Sequence, residues 1–93
     1  MKHHIIVKWA NGVNKQELID KARKLYSDAT SIEGVNKVDI SENITARDNR
    51  YDLMIVLHIK NDALSIWDES QLHKQWKLEF GAAIDKKCII DCK

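Results

Sequence analysis

The chain has 93 residues, 44% of them apolar and 31% charged, a balance that fits one globular domain and excludes a disordered tract. That length lies just above the size at which a core stands without disulfides or metals. Its 15 basic and 14 acidic residues leave a formal charge of +1 and are mixed along the sequence, which excludes the basic face a nucleic-acid binder needs to displace counterions.

No apolar run approaches the ~20 residues that span a bilayer. The opening Met1-Lys2-His3-His4 lacks a signal peptide's apolar stretch and small-residue cleavage site. Cys88 and Cys92 stand four apart in a predicted strand, roughly 13 Å from one another and too far for an intrachain bridge. Reduced thiols in a cytoplasmic protein are therefore expected.

The first strand is read over residues 3–9, ending before the Asn11-Gly12 turn,. Alternation sends His3, Ile5, Val7 and Trp9 to one side, and His4, Ile6 and Lys8 to the other,. Asn14, with Glu17 three residues on, reads as the N-cap and partner of a capping box,. The helix that follows repeats Leu18, Ala22, Leu25, Ala29 and Ile32 as its core stripe,. Thr30 and Ser31 are poor helix formers, so the last turn is expected to be irregular, and Gly34 stops the helix. A second strand covers 35–42, with Val38, Ile40 and then Ile44 on one face and Lys37, Asp39 and Ser41 on the other. Residues 45–50 form a polar turn.

Residues 53–59, Leu-Met-Ile-Val-Leu-His-Ile, are apolar almost throughout, so this strand is expected to be buried on both faces. Asn61 caps a short helix, and a longer helical stretch over 70–83 carries Leu72, Trp76, Phe80 and Ala83 on one side. A final strand runs from Lys87 to Cys92. The order β-α-β-β-α-β with right-handed crossovers gives an α+β, ferredoxin-like fold with a four-stranded antiparallel sheet. Two helical layers cover one face of that sheet only. The other would show Ile6, Val38 or its neighbours, Met54, Val56, Cys88 and Ile90, too apolar a patch for a soluble monomer. A second copy packed sheet to sheet covers it, so a homodimer is expected.

Several segments resemble one known family, the stress-responsive dimeric α/β-barrel (Dabb) proteins. Lys2-His3-His4-Ile5-Ile6-Val7-Lys8-Trp9 resembles their first strand, and Ile32-Glu33-Gly34-Val35 their helix-to-strand turn, where a proline usually replaces Glu33. Arg50-Tyr51-Asp52-Leu53 resembles the start of their third strand, and Trp67 through His73 their second helical region. The resemblance covers essentially the whole chain and implies a single dimeric α/β-barrel domain. Many members have no defined reaction. A plant cyclase of the family closes a polyketide ring with a histidine that matches His73, helped by a tyrosine whose position here holds Trp67. The family's His-Pro-x-His run reads Ser70-Gln71-Leu72-His73, keeping its last member.

His73 follows Leu72 on the helical stripe and is the candidate general base, because an imidazole titrates near neutral pH unaided. A cavity between sheet and helices is expected, lined by His3, Ile5, Val7, Leu53, Ile55, Trp67 and His73. His3 has a plainer reading as a strand-end histidine bonded to a carbonyl, and Trp67 and Trp76 as ordinary core. His58 is placed on the dimer face, and Asp91 is read as a solvated or strand-pairing residue. His3 and His4 face opposite ways and cannot share a metal. No phosphate loop or metal spacing occurs, so no cofactor, metal, nucleic-acid or membrane partner is expected. Two functions stay open: a dimer that binds a small apolar or aromatic molecule, and a small acid-base enzyme acting on a carbonyl or polyketide-like substrate.

Overall fold

The computed structural model describes residues Met1–Lys93. In chain order the elements are β1 (Lys2–Trp9), α1 (Lys15–Tyr26), β2 (Val35–Glu42), β3 (Leu53–Ile59), α2 (Leu64–Glu69), α3 (Gln71–Phe80) and β4 (Ile84–Cys92). Single 3-10 turns, Ala29–Ser31 and Gly81–Ala83, lead into β2 and β4. The four strands form one antiparallel sheet in the order β2-β3-β1-β4, the ferredoxin-like arrangement expected from the element order.

Register decides which side chains reach the core. His3 pairs with Leu57, Ile5 with Ile55 and Val7 with Leu53, and opposed residues share a face. Apart from the polar His3, these side chains, with Trp9, Val35 and Ile59, form the sheet's contribution to a single core of aliphatic and aromatic residues. β3 is buried on its inner face through Leu53, Ile55, Leu57 and Ile59, and on its outer face at Val56. Its continuous apolar run is thus explained by a central position.

Two expectations are corrected in β2. A register shift between Val35 and Lys37 inserts one residue, so Val35 and Val38 both point inward despite their odd spacing. Val38 therefore pairs with Leu57 and packs on the core, and it is Asp39, opposite Val56, that lies on the outer face. Ile44 does not continue the strand. Pairing ends at Glu42, and Ile44 is 96% exposed.

The α1 stripe is also offset from the expected one. Asn14 does cap the helix, accepting from the Glu17 amide at 3.1 Å. The buried residues, however, are Ile19, Ala22 and Tyr26, with Leu18 and Leu25 only partly buried beside them. Adjacent Leu18 and Ile19 allow two stripes about 100° apart, and burying the Tyr26 ring selects the second. The helix ends early because the Ser27 hydroxyl donates to the Lys24 carbonyl at 2.6 Å, a local bond that competes with the helical ladder. Asn61 caps nothing. The residue before α2 is Ala63, without a side-chain cap, and the Asn61 side-chain oxygen instead accepts from the Met1 ammonium at 3.1 Å.

Gly34 has a φ of +87° and its missing Cβ would lie 2.4 Å from the Ala63 Cβ. Both facts require glycine there. The close approach seats the start of α2 against the turn into β2, and α2 carries Trp67.

Candidate functional site

The starts of β1 and β2 and the ends of β3 and β4 lie at one end of the sheet, as the antiparallel pairings require. The C-terminus of α1 feeds β2 there, and α2 leaves β3 there. Topology thus gathers His3, Asp91, Tyr26, Trp67 and His73 at this end of the molecule.

The break between α2 and α3 is held by Ser70. Its hydroxyl donates to the Trp67 carbonyl at 2.7 Å and accepts from the His73 amide at 3.2 Å, serving as N-cap of α3,. The His73 ring lies 5.2 Å from that of Trp67, centroid to centroid. Its Nδ1–H donates to the Asp68 carbonyl at 2.9 Å. A carbonyl only accepts, so the proton sits on Nδ1 and the neutral ring keeps its lone pair on Nε2.

Tyr26 joins this group and was missed in the sequence. Its ring is fully buried, 5.8 Å from Trp67 and 5.4 Å from Trp76. Burial pushes its phenol far above the ordinary range, so the hydroxyl stays protonated and available as a donor. Neither that hydroxyl nor the Trp67 Nε1–H has a hydrogen-bond partner. Buried polar groups are nearly always paired, and leaving one unpaired costs ~1–3 kcal/mol. Trp9 Nε1 is a third unpaired buried donor, at the far end of β1, whereas Tyr26 Oη and Trp67 Nε1 stand on neighbouring rings next to the His73 imidazole. A tyrosine one place off the expected stripe was the available signal, but its orientation depended on the stripe that was misplaced.

The other expected lining residues are accounted for individually. Ile5, Val7, Leu53, Ile55 and Trp67 are each at most 2% exposed, and His3 is 7% exposed. Side chains fill the space where an open cavity was expected, and none of these six lines the three main surface pockets. His3 bonds no carbonyl. Its Nδ1–H donates to the Asp91 carboxylate at 2.5 Å, and Asp91 is both exposed and the β4 residue paired with His3, as expected of a solvated, strand-pairing residue. An indentation of about 290 Å³, lined by Leu25, Ser31, Ile32, Gln71, Leu72 and neighbours, opens between α1 and α3. Neither Tyr26 nor His73 lines it, although their sequence neighbours Leu25 and Leu72 do.

On the outer sheet face His58 Nε2–H donates to Asp39 at 2.9 Å, beside half-buried Ile6, Met54 and Cys88 and the 47% exposed Ile90. Both cysteines are free thiols. No helix is long and apolar enough to cross a membrane.

No protein-family model and no curated protein sequence matches the chain. Solved structures do. A dimeric protein of unknown function with a ferredoxin-like fold from Bacteroides fragilis superposes with a TM-score of 0.84 at 11% identity, over 99% of this chain and 93% of that one. A Dabb family protein with a ferredoxin-like fold from Mesorhizobium loti gives 0.72 at 15% identity, with 99% and 93% covered. A hydroxynitrile lyase from Passiflora edulis gives 0.72 at 16% identity, with 96% and 87% covered. The fold implied by the sequence resemblance is the fold these structures share.

Proposed function

We propose that this chain is a homodimeric, Dabb-like protein that binds a small aromatic or apolar molecule carrying a polar acceptor, between the sheet and the helices. The observation that carries this reading is that two of the three unpaired buried donors, Tyr26 Oη and Trp67 Nε1, stand on neighbouring rings. A carbonyl or similar oxygen placed between them would satisfy both, while the surrounding rings supply apolar contact. The ligand enters from the indentation beside Leu25 and Leu72. Side chains fill the space behind it, so the Tyr26 and Trp67 rings must part to admit the ligand, and Trp67, His73, His3, Ile5, Val7, Leu53 and Ile55 form or back the site. Solved structures of this fold described as dimeric support pairing, and the apolar outer face supplies the surface for it. A thermal-shift screen of small aromatic aldehydes, ketones and phenols tests the binding. Hits should raise the melting temperature of the native protein and lose most of that shift in Tyr26→Phe.

A second reading, a small acid-base enzyme acting on a carbonyl compound, is favoured by one observation. His73 Nδ1–H is committed to the Asp68 carbonyl, leaving Nε2 as the base. The fold shared with a hydroxynitrile lyase is compatible with such chemistry, though fold alone does not carry function. In this reading Tyr26 and Trp67 stabilise developing charge on the carbonyl oxygen and His73 moves the proton. His73→Ala would then lower turnover ~100-fold or more, whereas pure binding would change affinity modestly and leave no rate to measure.

A further inference from the structure

The strand order β2-β3-β1-β4 leaves one side of β4 unpaired. Along that side alternate backbone N–H and C=O groups face solvent, which is the template an added strand needs. Folded proteins blunt such edges with bulges, prolines or short strands. Here the register shift falls at Lys8 and Trp9, and from Lys86 to Cys92 the strand pairs with β1 without a break. Both faces of this run also show isoleucine. Ile89, opposite the buried Ile5 on the inner face, is 45% exposed, and Ile90 on the outer face is 47% exposed.

The run is complementary to itself in one register. Opposed residues of an antiparallel pair share a face, so a two-fold axis relating two copies of one strand passes through a residue and not between two. Centred on Ile89, the middle of the run, Lys87 lies opposite Asp91, Cys88 opposite Ile90, and Ile89 opposite itself. No like charges meet, and the overlap is the longest available. A centre at Lys86, Lys87 or Asp91 opposes a charge to its own copy. A centre at Cys88 sets both lysines against isoleucines, and one at Ile90 sets Asp91 against Ile89. The other free edge, β2, is a poorer match, because its register shifts after Val35 and Glu42 is committed to Arg23 at 3.0 Å.

We propose that β4 pairs antiparallel with β4 of a second copy, in the register centred on Ile89. This rests on the homodimer reading above and specifies the edge through which the copies join, as an isologous contact. Lys87 makes no ion pair within its own chain, and the pairing brings it to the Asp91 carboxylate that holds His3. The partner's Lys87 thus stands beside a residue that backs the proposed site. No β4 residue lines the indentation between α1 and α3, so the ligand's entry stays open.

The experiment is oxidative cross-linking of Ile89→Cys in a chain whose Cys88 and Cys92 are serine. Opposed residues stand ~4.5–5.5 Å apart at Cα, within disulfide reach. At micromolar concentration, copper–phenanthroline should convert most of this variant to a covalent dimer on a non-reducing gel. In the native chain, Lys87→Glu should raise the dimer dissociation constant ~10-fold or more in light scattering, because it sets like charge against Asp91 at two places. Cross-linking of Ile89→Cys to Ile40→Cys, but not to itself, would place β4 on β2 of the second copy and overturn the proposal. A native dimer that gives no Ile89→Cys cross-link and the same mass in Lys87→Glu overturns the edge pairing and leaves the dimer standing. A monomeric native chain overturns both.

Discussion

Substituting Gly34 by alanine perturbs two quantities that can be measured apart. At φ +87° an L-residue pays about 1–2 kcal/mol for the left-handed conformation. The new methyl would also stand 2.4 Å from the Ala63 Cβ, and relieving such overpacking costs about 1–3 kcal/mol more. The sum of about 2–5 kcal/mol corresponds to a fall in melting temperature of roughly 10–30 °C for a domain of this size. Gly12 is an internal control. It has a φ of +83° but nothing within 4 Å of its missing Cβ, so Gly12→Ala should cost about 1–2 kcal/mol alone. Adding Ala63→Gly to Gly34→Ala should recover the packing part and leave the conformational part. Urea unfolding followed by tryptophan fluorescence gives all four values. Gly34→Ala within about 0.5 kcal/mol of Gly12→Ala would refute the reasoning, because the approach of α2 to the β2 turn would then carry no constraint.

Other predictions follow from single side chains. Tyr26→Phe removes a buried hydroxyl that has no partner, so it should raise stability by about 1 kcal/mol or more while weakening ligand binding; a destabilised variant would show that the hydroxyl is paired. Hydrogen bonding from His58, aided by Lys37 and partly offset by desolvation, holds the Asp39 carboxyl below its ordinary value. Its contribution is therefore present above the unfolded carboxylate range and lost as pH falls through the lowered folded value. Asp39→Asn should flatten the acid limb of the stability curve, read from urea midpoints between pH ~6 and ~2, and an unchanged limb would count against the pair. Val56→Asp puts an unpaired charge on the outer sheet face and should dissociate or unfold the proposed dimer, as light scattering would show. Replacing Cys88 and Cys92 together by serine should leave ligand binding within a few-fold of native; a specific loss with the fold intact would give the thiols a role.

The architecture was readable because its signals were strong and local. The uninterrupted run in β3 demanded burial on both faces, Asn14 and Glu17 marked a helix start, and Gly34 marked the turn into β2 rather than the end of α1, which comes at Tyr26. What was not readable depended on choices between near-equal patterns. Leu18 and Ile19 are adjacent, so one stripe or its neighbour could face the core, and only packing of the Tyr26 ring decides. The bulge after Val35 reverses which β2 residues face outward, and a one-residue insertion has no sequence mark without a glycine. The same limits apply to the site. Trp67 and His73 could be named from helical position and family resemblance. The His3–Asp91 bond needed the register of β1 on β4, and the unpaired Tyr26 hydroxyl needed the stripe to be placed correctly.

The central claim is that Tyr26 Oη, Trp67 Nε1 and His73 Nε2 serve one ligand. It is tested most directly by a nitrogen-15 NMR titration that follows the indole N–H of Trp67 and the imidazole nitrogens of His73 while benzaldehyde or acetophenone is added. Before addition, His73 should show the Nδ1–H tautomer fixed by the Asp68 carbonyl. On addition, the Trp67 indole and His73 Nε2 signals should shift together along one saturable curve, and the Trp9 indole, at the other end of β1, should stay in place. A Trp67 indole that does not move, or a His73 that carries its proton on Nε2, would contradict the account.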